Sequence, residues 1–260
     1  MLKKRLLGVV IVKDGWAVQS FGYRRYLPLG KPECLVENLD RWGADEILVL
    51  SIDRSVNNMG PDFELLKKLG KLGLGTPLIY GGGMRSLDDG MEVIRLGADR
   101  LVVDALMHDD TGIVHSLCQE LGTQAVIGSM PVSMRHEKMD WLDYRDNTLI
   151  TMPDSIIESL NSGIVSELLL IDWQHEGYGN SFDQNLVDCA SGLLNTPLIV
   201  FGGLSDPIQM KKLLLQPNIS AVAVGNFLSY EEHAIQNLKK QLVDTPLRLP
   251  TYQSKYTLIP

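Results

Sequence analysis

The chain has 260 residues, of which 45% are hydrophobic, and its formal net charge is -8. This length suits one large α/β domain. The acidic balance argues against a nucleic-acid partner, which would need a basic face. Three scattered cysteines, without a CxxC pair or a His/Cys cluster, favour a reducing compartment and predict no metal site.

The N-terminus, MLKKRLLGVVIVKDG, begins with basic residues and continues with apolar ones, as a signal peptide would. However, the apolar run is short, no small-residue cleavage site follows it, and Lys13 and Asp14 interrupt it. We therefore interpret it as the first strand of a cytoplasmic protein. No apolar run in the chain is long enough to predict a membrane span.

Strand-like and helix-like segments then alternate along the chain. Short apolar runs predict buried parallel strands at 6–12, 46–52, 77–80, 100–103, 124–128, 167–172, 197–201 and 221–225. Amphipathic segments between them predict helices at 34–43, 63–73, 87–97, 110–122, 155–163, 185–194 and 207–216. Eight strand–helix units predict one α/β domain over residues 1–260, a (β/α)8 TIM barrel.

An internal repeat divides this predicted barrel. TPLIYGGGMRS at 76–86 resembles TPLIVFGGLSD at 196–206, and GADEILVLSID at 43–53 resembles VSELLLIDWQ at 165–174. These similarities predict two half-barrels, at about 1–122 and 123–243, and a tail at 244–260. The alternative is that strand–helix repeats produce such similarity by chance.

Glycines follow several predicted strands. Gly203 follows strand seven, Gly225 and Asn226 follow strand eight, and Gly177 lies in the loop after strand six. Barrel enzymes often bind phosphate at these loops through backbone N–H groups, so these residues are candidate phosphate ligands. Gly83, after strand three, is the corresponding candidate in the first half. The alternative is that glycine only permits the tight turns.

Charged residues stand at the start of four predicted strands: Arg5, Glu46, Arg100 and Glu167. Strand starts meet at the N-terminal face of a barrel, so we expect two arginines and two glutamates to form a charge ring there. Buried charges require partners, and these four balance in sign. Pairing alone could explain the ring, because this face normally serves stability.

Together these motifs resemble the cyclase subunit of imidazole glycerol phosphate synthase (HisF). The resemblance covers nearly the whole chain, through KKRLLGVVIVKDG, GADEILVLSID, TPLIYGGGMRS, LGADRLVV, LGTQAVIG, SELLLIDWQHEGYGNSFD, TPLIVFGGL and AVAVGNFL. That family is a duplicated half-barrel whose barrel receives ammonia from a docked glutaminase subunit (HisH) and passes it to a phosphorylated substrate at the C-terminal rim. No cofactor is implied.

The resemblance implies that the charge ring gates ammonia entry. Arg5, Glu46 and Glu167 match the family's gate, and Arg100 stands where the family has lysine. Asp99 matches a position in the glutaminase interface. The related isomerase of histidine synthesis shares the fold but takes no ammonia, so the ring argues against it.

This sequence differs from the family at the C-terminal rim of the barrel. The family's two catalytic aspartates, at the ends of strands one and five, are expected at Ile11 and Met130, and neither side chain can transfer a proton. Gln19 stands where the family has a substrate-binding lysine. Asp104-Ala105 stands where the family has the asparagine–threonine pair of one phosphate site. A carboxylate there would repel phosphate.

Three hypotheses follow. The first is a subunit that takes ammonia from a HisH-like glutaminase for a changed acceptor. An example is a surface-polysaccharide pathway in which a separate amidotransferase makes amidino sugars. The second is a working cyclase of histidine biosynthesis that uses other acids, with Asp172, Glu176 and Asp104 as candidates. The third is a barrel that only activates a glutaminase. Phosphate binding at Gly203, Gly225 and Asn226 would separate the first from the third.

Overall fold

The computed structural model describes residues 3–248. The strands are β1 (Arg5–Lys13), β2 (Trp16–Phe21), β3 (Arg25–Gly30), β4 (Glu46–Ser51), β5 (Leu78–Gly81), β6 (Arg100–Val103), β7 (Val126–Arg135), β8 (Lys138–Asp143), β9 (Thr148–Thr151), β10 (Glu167–Asp172), β11 (Leu198–Phe201) and β12 (Ile219–Val224). The α-helices are α1 (Pro32–Arg41), α2 (Asp53–Val56), α3 (Phe63–Gly70), α4 (Leu87–Arg95), α5 (Ala105–Asp109), α6 (Thr111–Leu121), α7 (Asp154–Asn161), α8 (Gln184–Leu193), α9 (Pro207–Leu214) and α10 (Ala234–Gln241).

Eight parallel strands close into a barrel in the order β1, β4, β5, β6, β7, β10, β11 and β12, with β12 pairing back to β1. Helices lie between successive strands. The (β/α)8 TIM barrel predicted from the sequence is therefore confirmed. The division into two half-barrels remains a prediction.

The apolar runs form strands because both faces of the sheet are covered. One face fills the barrel interior with a cluster that includes Leu7, Leu48, Ile127 and Leu169. The other packs against the surrounding helices. Five helices begin at an aspartate or serine whose side chain accepts a backbone N–H of the first turn: Asp62, Ser86, Asp110, Asp183 and Asp206.

Two antiparallel ribbons extend the barrel at its C-terminal rim. β2 pairs with β1 and β3, and β8 pairs with β7 and β9. The sequence prediction missed both ribbons, and it ended strand five at residue 128. β7 begins later, at Val126, and continues to Arg135. The stretch 135–147 is thus the turn and second strand of a hairpin.

The segment after α10 returns to the start of β1 at the N-terminal face. Lys4 forms an isolated parallel bridge with Leu247, and the Arg248 N–H donates to the Lys4 carbonyl over 3.0 Å. This is the beginning of the predicted tail. Its remainder, residues 249–260, lies outside the described residues.

A buried ion pair fastens α10 to the loop before β4. Lys239 Nζ lies 2.8 Å from Asp45 Oδ1, and the two side chains are 1% and 6% exposed. The other Asp45 oxygen accepts the Leu6 N–H over 2.8 Å. Asp99 makes a similar contact two strands further round the barrel, accepting the Leu78 N–H over 2.8 Å, but it is exposed.

Asp45→Ala should lower the free energy of unfolding by about 3 kcal/mol, because it leaves the Lys239 ammonium buried without its partner. Asp99→Ala is the matched control. It loses one backbone hydrogen bond at an exposed site and should cost about 1 kcal/mol. Urea unfolding followed by circular dichroism measures both, and equal losses would contradict the role given to the ion pair.

Candidate functional site

The four predicted charged residues meet at the N-terminal end of the barrel. Arg5 contacts both glutamates, with Nη1 3.2 Å from Glu46 Oε1 and Nη2 hydrogen-bonded to Glu167 Oε1. Arg100 also contacts both, at 3.5 Å from Glu46 Oε1 and 2.7 Å from Glu167 Oε2. All four side chains are about nine-tenths buried. The charge ring expected from the sequence is therefore present as a closed circuit of ion pairs.

The two glutamates of the charge ring differ in their electrostatics. Burial raises the pKa of Glu46 and outweighs its two longer contacts with Arg5 and Arg100. Among the described residues Glu46 Oε2 is buried without a hydrogen-bond partner. Burial also acts on Glu167, but the two arginines and the Ser220 hydroxyl outweigh it and lower the pKa of Glu167. Glu46 is thus the carboxylate with an oxygen left to bind another donor.

Asp99 lies on the same face, directly before Arg100 at the start of β6. It is exposed, and its carboxylate accepts the Leu78 N–H. The Asp99 N–H in turn donates to the Leu78 carbonyl over 2.8 Å. A partner that covered the charge ring would therefore meet Asp99 in a fixed position, although its role in an interface remains a prediction.

A cavity of about 140 Å³ opens among the carboxyl ends of the barrel strands. We call it the mouth cavity. Ile11, Ser129 and Ile171 line it from β1, β7 and β10, and the two ribbons close over it with Tyr23 and Tyr144. The sequence analysis missed both tyrosines. The long segment between the predicted strand at 124–128 and the predicted helix at 155–163, which contains Trp141 and Tyr144, was the signal for Tyr144.

Ile11 faces the mouth cavity, as the resemblance predicted for the first missing aspartate. The prediction that Met130 takes the place of the second aspartate is wrong, because its side chain does not face the mouth cavity. Met130 is fully buried in the layer between sheet and helices, because successive strand residues point to opposite faces. Ser129 lines the mouth cavity instead, and the same alternation puts Pro131 on the inner side. These neighbours also carry no carboxyl group.

The three candidate acids separate in the structure. Asp104 and Glu176 both line the mouth cavity. Asp172 does not. It lies on the same side of β10 as Leu168 and Leu170, which pack against the helices. Its carboxylate accepts the Asp183 N–H over 2.8 Å and contacts His175 Nδ1 over 2.8 Å. As a candidate acid Asp172 is therefore on the wrong side of its strand, and its contacts hold the loop after β10.

Burial changes the chemistry of the two acids in the mouth cavity. It raises the pKa of Asp104 to about 8, although the Ser129 hydroxyl donates to Oδ2 over 2.9 Å and opposes the shift. It raises the pKa of Glu176 to about 7, against the Ser20 hydroxyl, which donates to Oε2 over 2.9 Å. Two carboxyls that change protonation near neutral pH can act as an acid and a base.

A second cavity, of about 190 Å³, lies beside the first and is lined by Gly177, Gly203, Gly225 and Asn226. Gly177 and Gly203 have φ angles of +85° and +71°. A Cβ atom on Gly177 would lie 2.0 Å from the Ser20 carbonyl oxygen, and one on Gly203 would lie 2.7 Å from Ser181 Oγ. Packing alone therefore requires these two glycines, and their role as phosphate ligands remains a prediction.

Asn226 uses its side chain to hold the first ribbon. Its Nδ2 donates to the Ser20 carbonyl over 2.7 Å, and its Oδ1 accepts the Ser20 N–H over 3.3 Å. Its backbone N–H begins a short 3₁₀ helix at 226–229, where N–H groups have no partner within the helix. Any contact of Asn226 with phosphate would thus come from the backbone.

Gly83 lies apart from the mouth cavity. Its N–H donates to the Ser55 hydroxyl over 3.1 Å, and a Cβ atom there would lie 2.6 Å from the Gly60 carbonyl. This position therefore lacks the free amide that a phosphate cradle needs. Among the described residues no cluster of His, Cys, Asp and Glu side chains could hold a metal ion, and no helix could cross a membrane.

A family model described as histidine biosynthesis protein matches residues 5–234. The chain belongs to this family. It is 26% identical over 253 residues to a putative imidazole glycerol phosphate synthase subunit hisF2 of Vibrio vulnificus, covering 96% of this chain and 92% of that protein. It is 25% identical over 244 residues to the HisF subunit of Natranaerobius thermophilus, covering 93% and 96%.

A putative hisF2 subunit of Campylobacter jejuni is 26% identical over 242 residues, again covering 93% of this chain and 96% of the relative. The resemblance noted in the sequence is thus confirmed. This member of the histidine biosynthesis family is a HisF-like subunit, and its identity to the named HisF subunits is that of a divergent paralogue.

The two raised pKa values predict a pH-dependent stability. Both carboxyls bind their protons more tightly in the folded chain than in the unfolded chain. Their contribution is therefore fully present below about pH 4 and is lost as the pH rises through about 7 and 8. Asp104→Asn stays neutral and keeps the acceptor for Ser129. At pH values above 8 it should be about 2 kcal/mol more stable relative to wild type than at low pH.

Melting temperatures across the acidic to mildly alkaline range measure this difference. Asp14→Asn is the control, because Asp14 is exposed at the same rim and its melting curve should follow wild type. Parallel pH profiles for wild type and Asp104→Asn would show that Asp104 does not change protonation on folding.

Proposed function

We propose that this HisF-like subunit takes ammonia from a glutaminase docked on its N-terminal face and passes it through the barrel to an acceptor at the mouth. The observation that carries the proposal is the closed charge ring of Arg5, Glu46, Arg100 and Glu167. The same charges occupy the ammonia gate of the family that the sequence resembles.

The interior above the charge ring favours ammonia over ammonium. Its side chains are apolar, with the small residues Ala221 and Ala223 on β12. A bare ammonium ion would lose its hydration there at large cost, whereas neutral ammonia would lose far less. Glu46 has a raised pKa and one oxygen without a partner among residues 3–248, so we assign it the role of taking the proton from an entering ammonium ion. An exposed Asp99 beside Arg100 supports docking at this face.

The acceptor is proposed to differ from that of histidine biosynthesis. Ile11, Ser129 and Pro131 hold the inward positions at the ends of β1 and β7, and none carries a carboxyl. The glycine-lined cavity supports an acceptor with a phosphate group at Gly177, Gly203 and Gly225. A surface-polysaccharide pathway that makes amidino sugars through a separate amidotransferase remains an example of such a use.

Glu46→Ala should lower nitrogen incorporation from glutamine at least about ten-fold, because it removes two ion pairs and the proposed proton acceptor. Incorporation from added ammonium should fall much less, since ammonia can reach the open mouth from solution. The measurement compares product formed from glutamine with product formed from ammonium, using the purified glutaminase and the acceptor enzyme.

Glu64→Ala is the matched control, since Glu64 forms an exposed ion pair with Lys67 on α3, away from the charge ring. Circular dichroism checks that each variant is folded. A folded Glu46→Ala variant that couples glutamine hydrolysis as well as Glu64→Ala does would remove the gate from the proposal.

A working cyclase is the second candidate, and one observation favours it. Asp104 and Glu176 line one cavity and have pKa values of about 8 and 7, as an acid and base pair would require. Asp104 directly follows β6 and Glu176 lies in the loop after β10, whereas the family's two acids lie at the ends of strands one and five. A shift of position by an ångström or more costs catalysis heavily.

We therefore expect no imidazole glycerol phosphate when the chain meets the bisphosphate substrate of the histidine pathway and excess ammonium at high pH. A genuine HisF subunit under the same conditions is the positive control. Turnover that disappears in Asp104→Asn or Glu176→Gln would instead establish the cyclase. If the chain neither turns over nor supports nitrogen transfer but still stimulates glutaminase, the activator hypothesis applies.

A further inference from the structure

The mouth cavity has an excess of buried acid. Asp104 and Glu176 face it, and the lining contains one cationic side chain, Arg24. Arg24 is exposed at the rim, and its guanidinium carbon lies 5.9 Å from the centre of the Trp173 ring. Thus the deeper part of the cavity has no positive charge of its own among the residues that line it.

One carboxylate oxygen of Asp104 lacks a hydrogen-bond donor among the described residues. Its Oδ2 accepts from Ser129, whereas Oδ1 is buried and has no partner among the described residues. The guanidinium of Arg145, whose charge acts on Asp104, is already held by Asp109 and Asp143 at 2.5–2.9 Å. A buried carboxyl oxygen without a donor is costly, so a ligand that supplies an N–H group there would be stabilised.

Glu176 is better satisfied than Asp104. Its Oε2 accepts from the Ser20 hydroxyl, and N–H groups of the turn at Gly22 and Tyr23 also stabilise its charge. It therefore adds negative charge to the cavity when ionised, while Asp104 offers the unpaired oxygen. We therefore expect a ligand in this cavity to make its principal hydrogen bond with Asp104 and not with Glu176.

Aromatic side chains form the walls beside Asp104. Tyr23 and Tyr144 meet edge to face, with ring centres 6.1 Å apart, and both rings lie close enough to Asp104 for its charge to affect their pKa values. Tyr26 and Trp173 also line the cavity. The faces of such rings attract cations, and most strongly where water is excluded.

We propose that the mouth cavity binds a planar nitrogen cation, of the guanidinium or amidinium class, with its N–H groups on Asp104 and its face against Tyr23 or Tyr144. Carboxylates pair with such cations through parallel hydrogen bonds. A phosphate or carboxylate group in the same place would meet Asp104 with like charge. The inference goes beyond the proposed function, because it concerns the isolated barrel and requires neither glutaminase nor ammonia.

Binding of the cation should strengthen as the pH rises. Burial raises the pKa of Asp104 to about 8, so below that pH the cation must displace a proton. The charged and titratable groups that face Asp104 are Asp143, Arg145, Tyr23 and Tyr144. Asp143 and Arg145 form an ion pair, and burial raises the pKa of both tyrosines, so Asp104 carries most of the change above pH 7. Glu176, which lines the same cavity and has a pKa of about 7, adds to it at lower pH. Each unit below its pKa should weaken binding up to about ten-fold.

Titration calorimetry with methylguanidinium chloride tests the proposal on the full chain. N-methylurea, which has the same shape without the charge, is the matched ligand control. We expect methylguanidinium to bind wild type more tightly at about pH 8.5 than at about pH 6.5, and at least about ten-fold more tightly than N-methylurea. Asp104→Asn should reduce binding about ten-fold at about pH 8.5 and leave only the smaller pH dependence that Glu176 contributes as it ionises near pH 7.

Asp14→Asn is the matched protein variant and should bind as wild type does. Ser129→Ala is a second variant, which keeps the carboxyl but removes its hydrogen bond and should move the pH dependence upward. Failure of methylguanidinium to bind folded wild type at about pH 8.5, or equal binding by Asp104→Asn, would overturn the proposal. So would equal binding of N-methylurea. None of these results depends on ammonia transfer, so they leave the proposed function to its own test.

Discussion

Every strand of the closed barrel turns alternate side chains into one shared interior, and this constraint decides which residues can meet a ligand. On β1 it turns Ile11 towards the mouth cavity, and on β7 it turns Met130 away from it. On β10 it directs Asp172 to the outer side, where the loop before α8 uses its carboxylate. The face of the strand on which a candidate lies thus decides its environment.

The same cost of burying charge is met differently at the two ends of the barrel. At the N-terminal end two arginines and two glutamates balance each other, and within residues 3–248 only Glu46 of these four keeps an oxygen without a hydrogen-bond partner. At the mouth, Asp104 and Glu176 lie among aromatic walls, and none of the described lining residues is a buried cation. At the N-terminal end, ion pairs offset the cost of burying the charges. At the mouth, the same cost raises the pKa of both acids, so that they are protonated more readily. The first arrangement leaves little net charge at the N-terminal end, whereas the second leaves two acids at the mouth that change protonation near neutral pH.

The two antiparallel ribbons connect the fold to this chemistry. They rise from β1 and β7 and bring Tyr23 and Tyr144 over the mouth cavity. Asn226 and Glu176 fix the first ribbon through Ser20, and Arg145 fixes the second to α5 through Asp109. The family's barrel is thus kept, while part of the wall of the mouth cavity is built from segments outside the eight strands.

The sequence by itself determined the barrel, because eight apolar runs separated by amphipathic segments have few other ways to bury both faces of a sheet. It also determined the charge ring, since strand starts must share one face and Arg5, Glu46, Arg100 and Glu167 balance in sign. Only the tertiary structure determined which residues face the mouth cavity and how their protonation is shifted. The inward register of β7, the outward direction of Asp172 and the raised pKa of Asp104 depend on the pairing and burial of residues far apart in the chain. Local sequence patterns do not carry that information.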